Sequence, residues 1–146
     1  MPKSPARRGT HGANKFTEMS KRPTSAELEI LDALWTRGAA TVREVYEILS
    51  ARSKPPGYTT VLKLMQIMHE KGLVERDDSA KAHVYRARAS QDETQKSLVS
   101  DLLEKAFRGS ALKLVQHVLE TTPTSAEELT EIRRLIAEAE RKGENK

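Results

Sequence analysis

The run Gly57-Tyr58-Thr59-Thr60-Val61-Leu62-Lys63-Leu64-Met65-Gln66-Ile67-Met68 leaves little choice of conformation. Val61, Leu64, Met65 and Met68 recur at i, i+3/i+4 and i+7, an apolar stripe that a strand of period two could not keep on one side. Thr59, Thr60, Lys63 and Gln66 fall on the opposite, polar face. The spacing predicts a helix from about Tyr58 to Lys71. It starts after Ser53-Lys54-Pro55-Pro56-Gly57, where neither proline can donate to a continuing helix, and stops at Gly72. Leu73-Val74-Glu75-Arg76 and His83-Val84-Tyr85-Arg86 are short enough for a two-stranded hairpin, with Asp77 to Ala82 as its tip.

Helix starts elsewhere are marked by a hydroxyl residue with glutamate three positions on, at Thr24/Glu27, Thr41/Glu44, Ser90/Glu93 and Thr124/Glu127. In this capping box the hydroxyl accepts an orphan backbone N–H while the carboxylate reaches back to the cap residue. Pro-Thr-Ser-Ala-Glu occurs twice, at Pro23 and Pro123, and reads as one capping solution used twice, not as an internal repeat. A first helix is expected over Ser25–Trp35, with Leu28, Leu31, Leu34 and Trp35 inward, and Gly38 ends the connection that follows it. A second is expected over about Val42–Ala51, with Val42, Val45, Tyr46 and Leu49 inward. Three helices followed by a hairpin is the order of a winged helix-turn-helix.

After Ser90 three further helices carry thin stripes: Leu98, Leu102, Leu103 and Ala106; Leu112, Val115, Val118 and Leu119; and Leu129, Ile132, Leu135, Ile136 and Ala139. Such stripes are too narrow for a three-helix core and suit a dimerisation unit completed by a second copy. The fold class is mainly α. The expected division is a disordered basic arm over 1–22, a winged-helix domain over 23–89, a helical dimerisation domain over 90–142 and a tail over 143–146.

Only 37% of residues are hydrophobic and 4% aromatic, which favours small cores over one large one. The net charge is +4. Lys3, Arg7, Arg8, Lys15, Lys21 and Arg22 against Glu18 give the first 22 residues a net of +5, leaving −1 for the rest. Any polyanion site must therefore come from local clustering, with the arm adding non-specific phosphate contacts. Without cysteine there are no disulfides and no thiolate metal sites. His11, His69, His83 and His117 form no ligand pattern, and no nucleophile elbow, phosphate loop or zinc-protease motif occurs. Neither an enzyme, a metal nor a cofactor is expected. With no membrane-length apolar run and no signal peptide, the expected location is the cytoplasm.

In a helix-turn-helix the N-terminal part of the last helix enters the major groove and its outward side chains read base edges. Thr59, Thr60, Lys63 and Gln66 are the candidate readers. Threonine can lay its methyl on thymine, lysine can donate to guanine or phosphate, and glutamine can pair with adenine. Lys54 could reach phosphate from the turn, and Tyr58 could either donate to phosphate or pack beneath the turn. Thr41 and Arg43 lie at a helix N-terminus that favours phosphate, although capping alone also explains Thr41. In the hairpin Arg76, Lys81 and Arg86 are the candidate backbone contacts, with Asp77-Asp78 working against them at the tip. The alternative is a dimeric winged-helix protein–protein adaptor without sequence-specific DNA binding.

Read in order, Glu29-Ile30-Leu31-Asp32-Ala33-Leu34-Trp35, Thr41-Val42-Arg43-Glu44-Val45, Tyr58-Thr59-Thr60-Val61, Lys71-Gly72-Leu73-Val74 and His83-Val84-Tyr85-Arg86 resemble the BlaI/MecI/CopY family of bacterial transcriptional repressors. The resemblance runs from Thr24 to about Ala139. It implies a homodimer on double-stranded, palindromic operators, often of the TACA/TGTA type. It also implies release through a membrane metalloprotease sensor that triggers cleavage in the first dimerisation helix. The family's scissile Asn-Phe pair aligns with Asp101-Leu102 here. The cysteines of the copper-responsive branch are missing, and Ile67 stands where many relatives carry a basic residue. The long basic arm before Thr24 is likewise not general in the family.

Overall fold

The computed structural model describes residues 22–144. Nearly all of the stretch read as a disordered arm lies outside the described residues. The order of elements is α1 (Ser25–Arg37), β1 (Ala40–Thr41), α2 (Val42–Leu49), α3 (Tyr58–Lys71), β2 (Val74–Asp77), β3 (Val84–Ala87), α4 (Gln91–Phe107), α5 (Ala111–Thr121) and α6 (Ala126–Glu144). The chain forms two compact units, with the division between Gln95 and Lys96 inside α4. No helix among the described residues is long and apolar enough to cross a membrane.

Helix α1 begins at the expected capping box: Thr24 N–H donates to Glu27 Oε1 at 2.9 Å, and Glu27 N–H donates to Thr24 Oγ1 at 3.2 Å. It runs past Trp35 to Arg37 because its stop is Gly38, whose φ of 97° suits glycine and whose N–H donates to Leu34 O at 2.8 Å. Helix α2 begins at the box of Thr41 and Glu44 and is shorter than expected. After Leu49 the N–H groups of Ala51 and Arg52 donate to Ile48 O and Leu49 O, three residues back, so the last turn tightens and the helix ends. Helix α3 has the expected bounds and closes on Gly72 at φ 84°.

The hairpin is displaced by one residue, and it belongs to a three-stranded antiparallel sheet of order β1-β3-β2. The extra strand, β1, pairs Ala40 with Tyr85 and Thr41 with Val84. Between β2 and β3, Glu75 faces Arg86 and Arg76 faces Tyr85. The tip is therefore Asp78 to His83. A strand of only two residues carries too little periodicity to be read from sequence.

Ile30, Leu31, Ala33, Leu34, Ala40, Val42, Val45, Leu49, Val61, Met65, Met68, Val74 and Tyr85 form one buried cluster. Burying a side chain such as Ile30 or Met65 contributes about 1.5–3 kcal/mol. Ile30, rather than Leu28 or Trp35, holds the centre from α1, and these two pack at its margin with Tyr46 and Leu64. Trp35 still ties the segment after β3 to α1, since its Nε1–H donates to Ala89 O at 3.0 Å. Glu27 is the one polar residue buried here among those described. Its carboxylate accepts from Lys71 Nζ at 2.8 and 3.0 Å, so one side chain both starts α1 and fastens it to the end of α3.

The second unit is built differently. No side chain of α4, α5 or α6 is buried. Helix α4 starts at the expected box of Ser90 and Glu93 and ends through Arg108 and Gly109, both at positive φ, with Gly109 N–H donating to Leu103 O at 2.9 Å. Ser110 caps α5 by accepting from Lys113 N–H at 3.1 Å. The start expected at Thr124/Glu127 is shifted by one: Ser125 Oγ accepts from Glu128 N–H at 3.0 Å. Thr124 instead donates its hydroxyl to Thr122 O at 2.9 Å.

Candidate nucleic-acid interface

Burial of Val61, Met65 and Met68 fixes the rotation of α3, and that rotation turns Thr59, Thr60, Lys63 and Gln66 to solvent. All four are exposed, and none of their side chains forms a hydrogen bond or ion pair among the described residues. Gly57 precedes the helix with no side-chain cap, so the first N–H groups of α3 keep their capacity to donate. Ile67 is only half exposed and lies at the edge of this face. Lys54 is exposed in the turn before α3 and has no ionic partner among the described residues.

Tyr58 stands where α2 and α3 meet. Its ring packs edge-on against Tyr46, with centroids 5.6 Å apart and planes at 78°. The Arg43 guanidinium lies over the same ring, 5.4 Å from its centroid. Tyr58 therefore packs in the turn and yet remains 40% exposed, while Arg43 is held in place on an exposed surface. Thr41 is spent on its helix: its Oγ1 accepts from Glu44 N–H at 3.2 Å, and its own N–H donates to Glu44 Oε1 at 2.8 Å. That N–H, foremost, and the positive charge of Arg37 hold the Glu44 carboxyl below the ordinary carboxylate range.

The wing cations fare unequally. Lys81 is exposed at the tip with no ionic partner among the described residues. Arg76 lies along the sheet with Nε 2.7 Å from Asp78 Oδ1, too poorly aligned to donate, and Nη2 donates to Oδ2 at 3.3 Å. Asp78 first, and the Tyr85 hydroxyl second, raise the pKa of this guanidinium above its ordinary value. Arg86 is opposite Glu75 and donates from Nε to its Oε1 at 2.9 Å. Asp77, whose carboxylate accepts from Ser79 N–H at 2.9 Å, is held below the ordinary range chiefly by that bond.

A recess of about 330 Å³ lies between α2, α3 and the wing, and it gathers Thr41, Arg43, Tyr58, Gln66, Arg76 and Lys81. It also takes in His83, which the sequence offered no reason to choose. Arg86 lies outside this recess and lines a second hollow of about 480 Å³ with Glu75, Asp77 and Tyr85. Among the described residues, no group of three or more His, Asp or Glu side chains could hold a metal ion. The arrangement is an exposed polar helix face flanked by an aromatic-backed arginine and a mixed-charge hairpin. It offers donors and methyl groups to base edges and cations to a backbone.

Comparisons with known proteins bear on most of the chain. It is 36% identical to the transcriptional regulator BlaI of Mycobacterium tuberculosis over 84% of this chain and 89% of that protein. It is 23% identical to the methicillin resistance regulatory protein MecI of Staphylococcus epidermidis, over 84% of this chain and 96% of that one. Among solved structures, mutant MarR from E. coli complexed with operator DNA superimposes with a TM-score of 0.45 at 14% identity, covering 92% of this chain and 93% of that one, a likeness too loose to bear on the site. Residues 23–138, from the proline before α1 to within the last helix, match the penicillinase repressor family. The chain belongs to that family, whose members are transcriptional repressors and not enzymes.

Proposed function

We propose that this chain is a sequence-specific DNA-binding repressor that acts as a homodimer on palindromic operators. The observation that carries the reading is the free α3 face: Thr59, Thr60, Lys63 and Gln66 are exposed and unengaged while the opposite side of their helix is fixed in the core. Arg43, Lys54, Tyr58 and Lys81 supply backbone contacts beside it, with Thr41 contributing through the N-terminus it caps. A winged-helix domain over 23–89 and a dimerisation domain over 90–142 carry the two halves of this function. DNA as the partner implies a cytoplasmic location.

The homodimer is supported by the second unit. Leu102, Leu112, Val115, Val118, Leu119 and Ile136 are all more than 40% exposed, and Leu98, Leu103, Leu129 and Ile132 are only partly covered. A second copy with the same stripes gives these side chains the cover one chain lacks. Light scattering at micromolar concentration is expected to give twice the chain mass, and a monomer there overturns the dimer. Release by a sensor-triggered protease acting at Asp101-Leu102 belongs to the same reading. Both residues lie within α4, so a protease must first unwind that turn. An intact chain in induced cells overturns release by that route.

Capture of genomic fragments followed by sequencing tests the whole reading, and an enriched palindrome is the expected result. The Lys63→Ala variant is expected to bind that palindrome about 1–3 kcal/mol more weakly if Lys63 reads a base. Unchanged affinity with an unchanged salt dependence removes Lys63 from the interface. The alternative, a winged-helix adaptor, draws on the wing, where Arg76 and Arg86 are already paired with carboxylates. No enriched sequence in the capture experiment favours it.

A further inference from the structure

Lys81 at the wing's tip has no carboxylate partner among the described residues, but the wing's arginines do. Arg86 meets Glu75 through Nε at 2.9 Å and Nη2 at 2.8 Å, and Arg88 Nε reaches the other oxygen of Glu75 at 3.8 Å. Arg76 meets Asp78 at 2.7 and 3.3 Å, and His83 Nε2 lies 3.6 Å from the same carboxylate. The fork of a guanidinium fits a carboxylate and a phosphate by the same geometry. A backbone phosphate approaching the wing therefore meets arginines already paired with carboxylates, and carboxylates that repel it.

We propose that Glu75 and Asp78 act as built-in substitutes for phosphate, occupying Arg86 and Arg76 and holding down the wing's affinity for every DNA duplex. This inference rests on the DNA-binding reading above. Both pairs involve substantially exposed carboxylates, so each is weak enough for phosphate to displace it. The third wing acid has a smaller share, because Asp77 is tied first to Ser79 N–H and acts on Arg86 only through its charge, with no ion pair. Phosphate contacts carry no sequence information, so a brake on them lowers affinity for all duplexes alike. What the α3 face adds at its own sequence then becomes the larger part of the total. Glu75 and Asp78 limit affinity without touching a base.

The test uses the full chain with Glu75→Gln, Asp78→Asn and Asp77→Asn, titrated against a random duplex and a captured palindrome over a range of salt. Glu75→Gln and Asp78→Asn are expected to tighten binding about threefold to fivefold on both duplexes. The slope of log affinity against log salt is expected to steepen by about 0.9 for each arginine that takes up a phosphate. Asp77→Asn is expected to gain less. The Glu75→Gln gain is expected to shrink at least by half when Arg86→Gln is added, because Arg86 is its principal partner, and circular dichroism melting checks that every variant is folded. Unchanged or weaker binding overturns the inference, as does an equal gain from Asp77→Asn or a gain undiminished by Arg86→Gln. Failure of the unaltered protein to bind any duplex at low salt overturns the DNA reading itself, and this inference with it.

Discussion

The same pentapeptide begins two helices of this chain and meets two fates. At Pro23 the threonine caps α1, and the glutamate is buried with Lys71 across the core. At Pro123 the cap moves to Ser125, which accepts from the backbone N–H of Glu128, and Glu127 is left exposed. Two differences accompany this. The residue after the motif is Leu28 in one copy and Glu128 in the other, where the backbone N–H of Glu128 donates to Ser125 Oγ. Only the first copy has a lysine waiting on another helix. Local sequence determines that a helix starts; its neighbours determine what the glutamate then does. The two units differ in the same way as wholes, since the first closes a core within one chain and the second leaves its apolar side chains uncovered.

The largest expected effect separates the two units. Met65→Asp places an unpaired charge at a fully buried position and should cost more than about 4 kcal/mol, enough to unfold the winged unit in a circular dichroism melt. Leu119→Asp acts on a residue 43% exposed in the single chain and should leave the winged unit's melting unchanged. Its expected effect is a halved mass in light scattering. If both variants unfold the chain, the second unit owes its stability to something within one copy, and the two units do not differ in this way.

A smaller effect tests the two glutamates. Glu27→Ala strands Lys71 at the edge of the core and leaves Thr24 N–H without its acceptor, so a loss of about 3 kcal/mol is expected in urea unfolding. Glu127→Ala removes an exposed side chain and should stay within about 0.5 kcal/mol. Lys71→Met sharpens the result, because it removes the charge while keeping the aliphatic stem. A loss nearly as large as that of Glu27→Ala attributes the cost to the ion pair, whereas a negligible one attributes it to the cap.

What could be read in advance follows from how local each signal is. The bounds of α3 were legible because the prolines before it, the stripe within it and Gly72 after it agree. So was the outward set Thr59, Thr60, Lys63 and Gln66, since helical spacing alone separates it from Val61, Met65 and Met68. The Glu27–Lys71 pair was not legible, because its partners are 44 residues apart and each has a sufficient local role. The wing was half legible. With Asp77 to Ala82 as the tip, Arg86 would face Leu73; the observed register instead brings it to Glu75. Each strand starts one residue later than expected, so the pairing shifts by two, and that shift sets Arg86 against a carboxylate. His83 entered the recess for the same reason, since its place depends on where the turn closes.

The smallest expected effect bears on the caps alone and tests the difference between the two pentapeptides most directly. Replacing a hydroxyl cap by alanine costs about 1 kcal/mol where the hydroxyl satisfies an orphan N–H, and little where it does not. Thr24→Ala should therefore cost about 1 kcal/mol and Ser25→Ala almost nothing. In the second copy the order reverses: Ser125→Ala should cost about 0.5–1 kcal/mol and Thr124→Ala less. Hydrogen exchange of the first-turn amides, Glu27 in one helix and Glu128 in the other, reads each cap separately from global unfolding. Faster exchange at Glu128 in Thr124→Ala than in Ser125→Ala would return the cap to Thr124. The two pentapeptides would then behave alike, and Lys71 would remain as the sole difference between them.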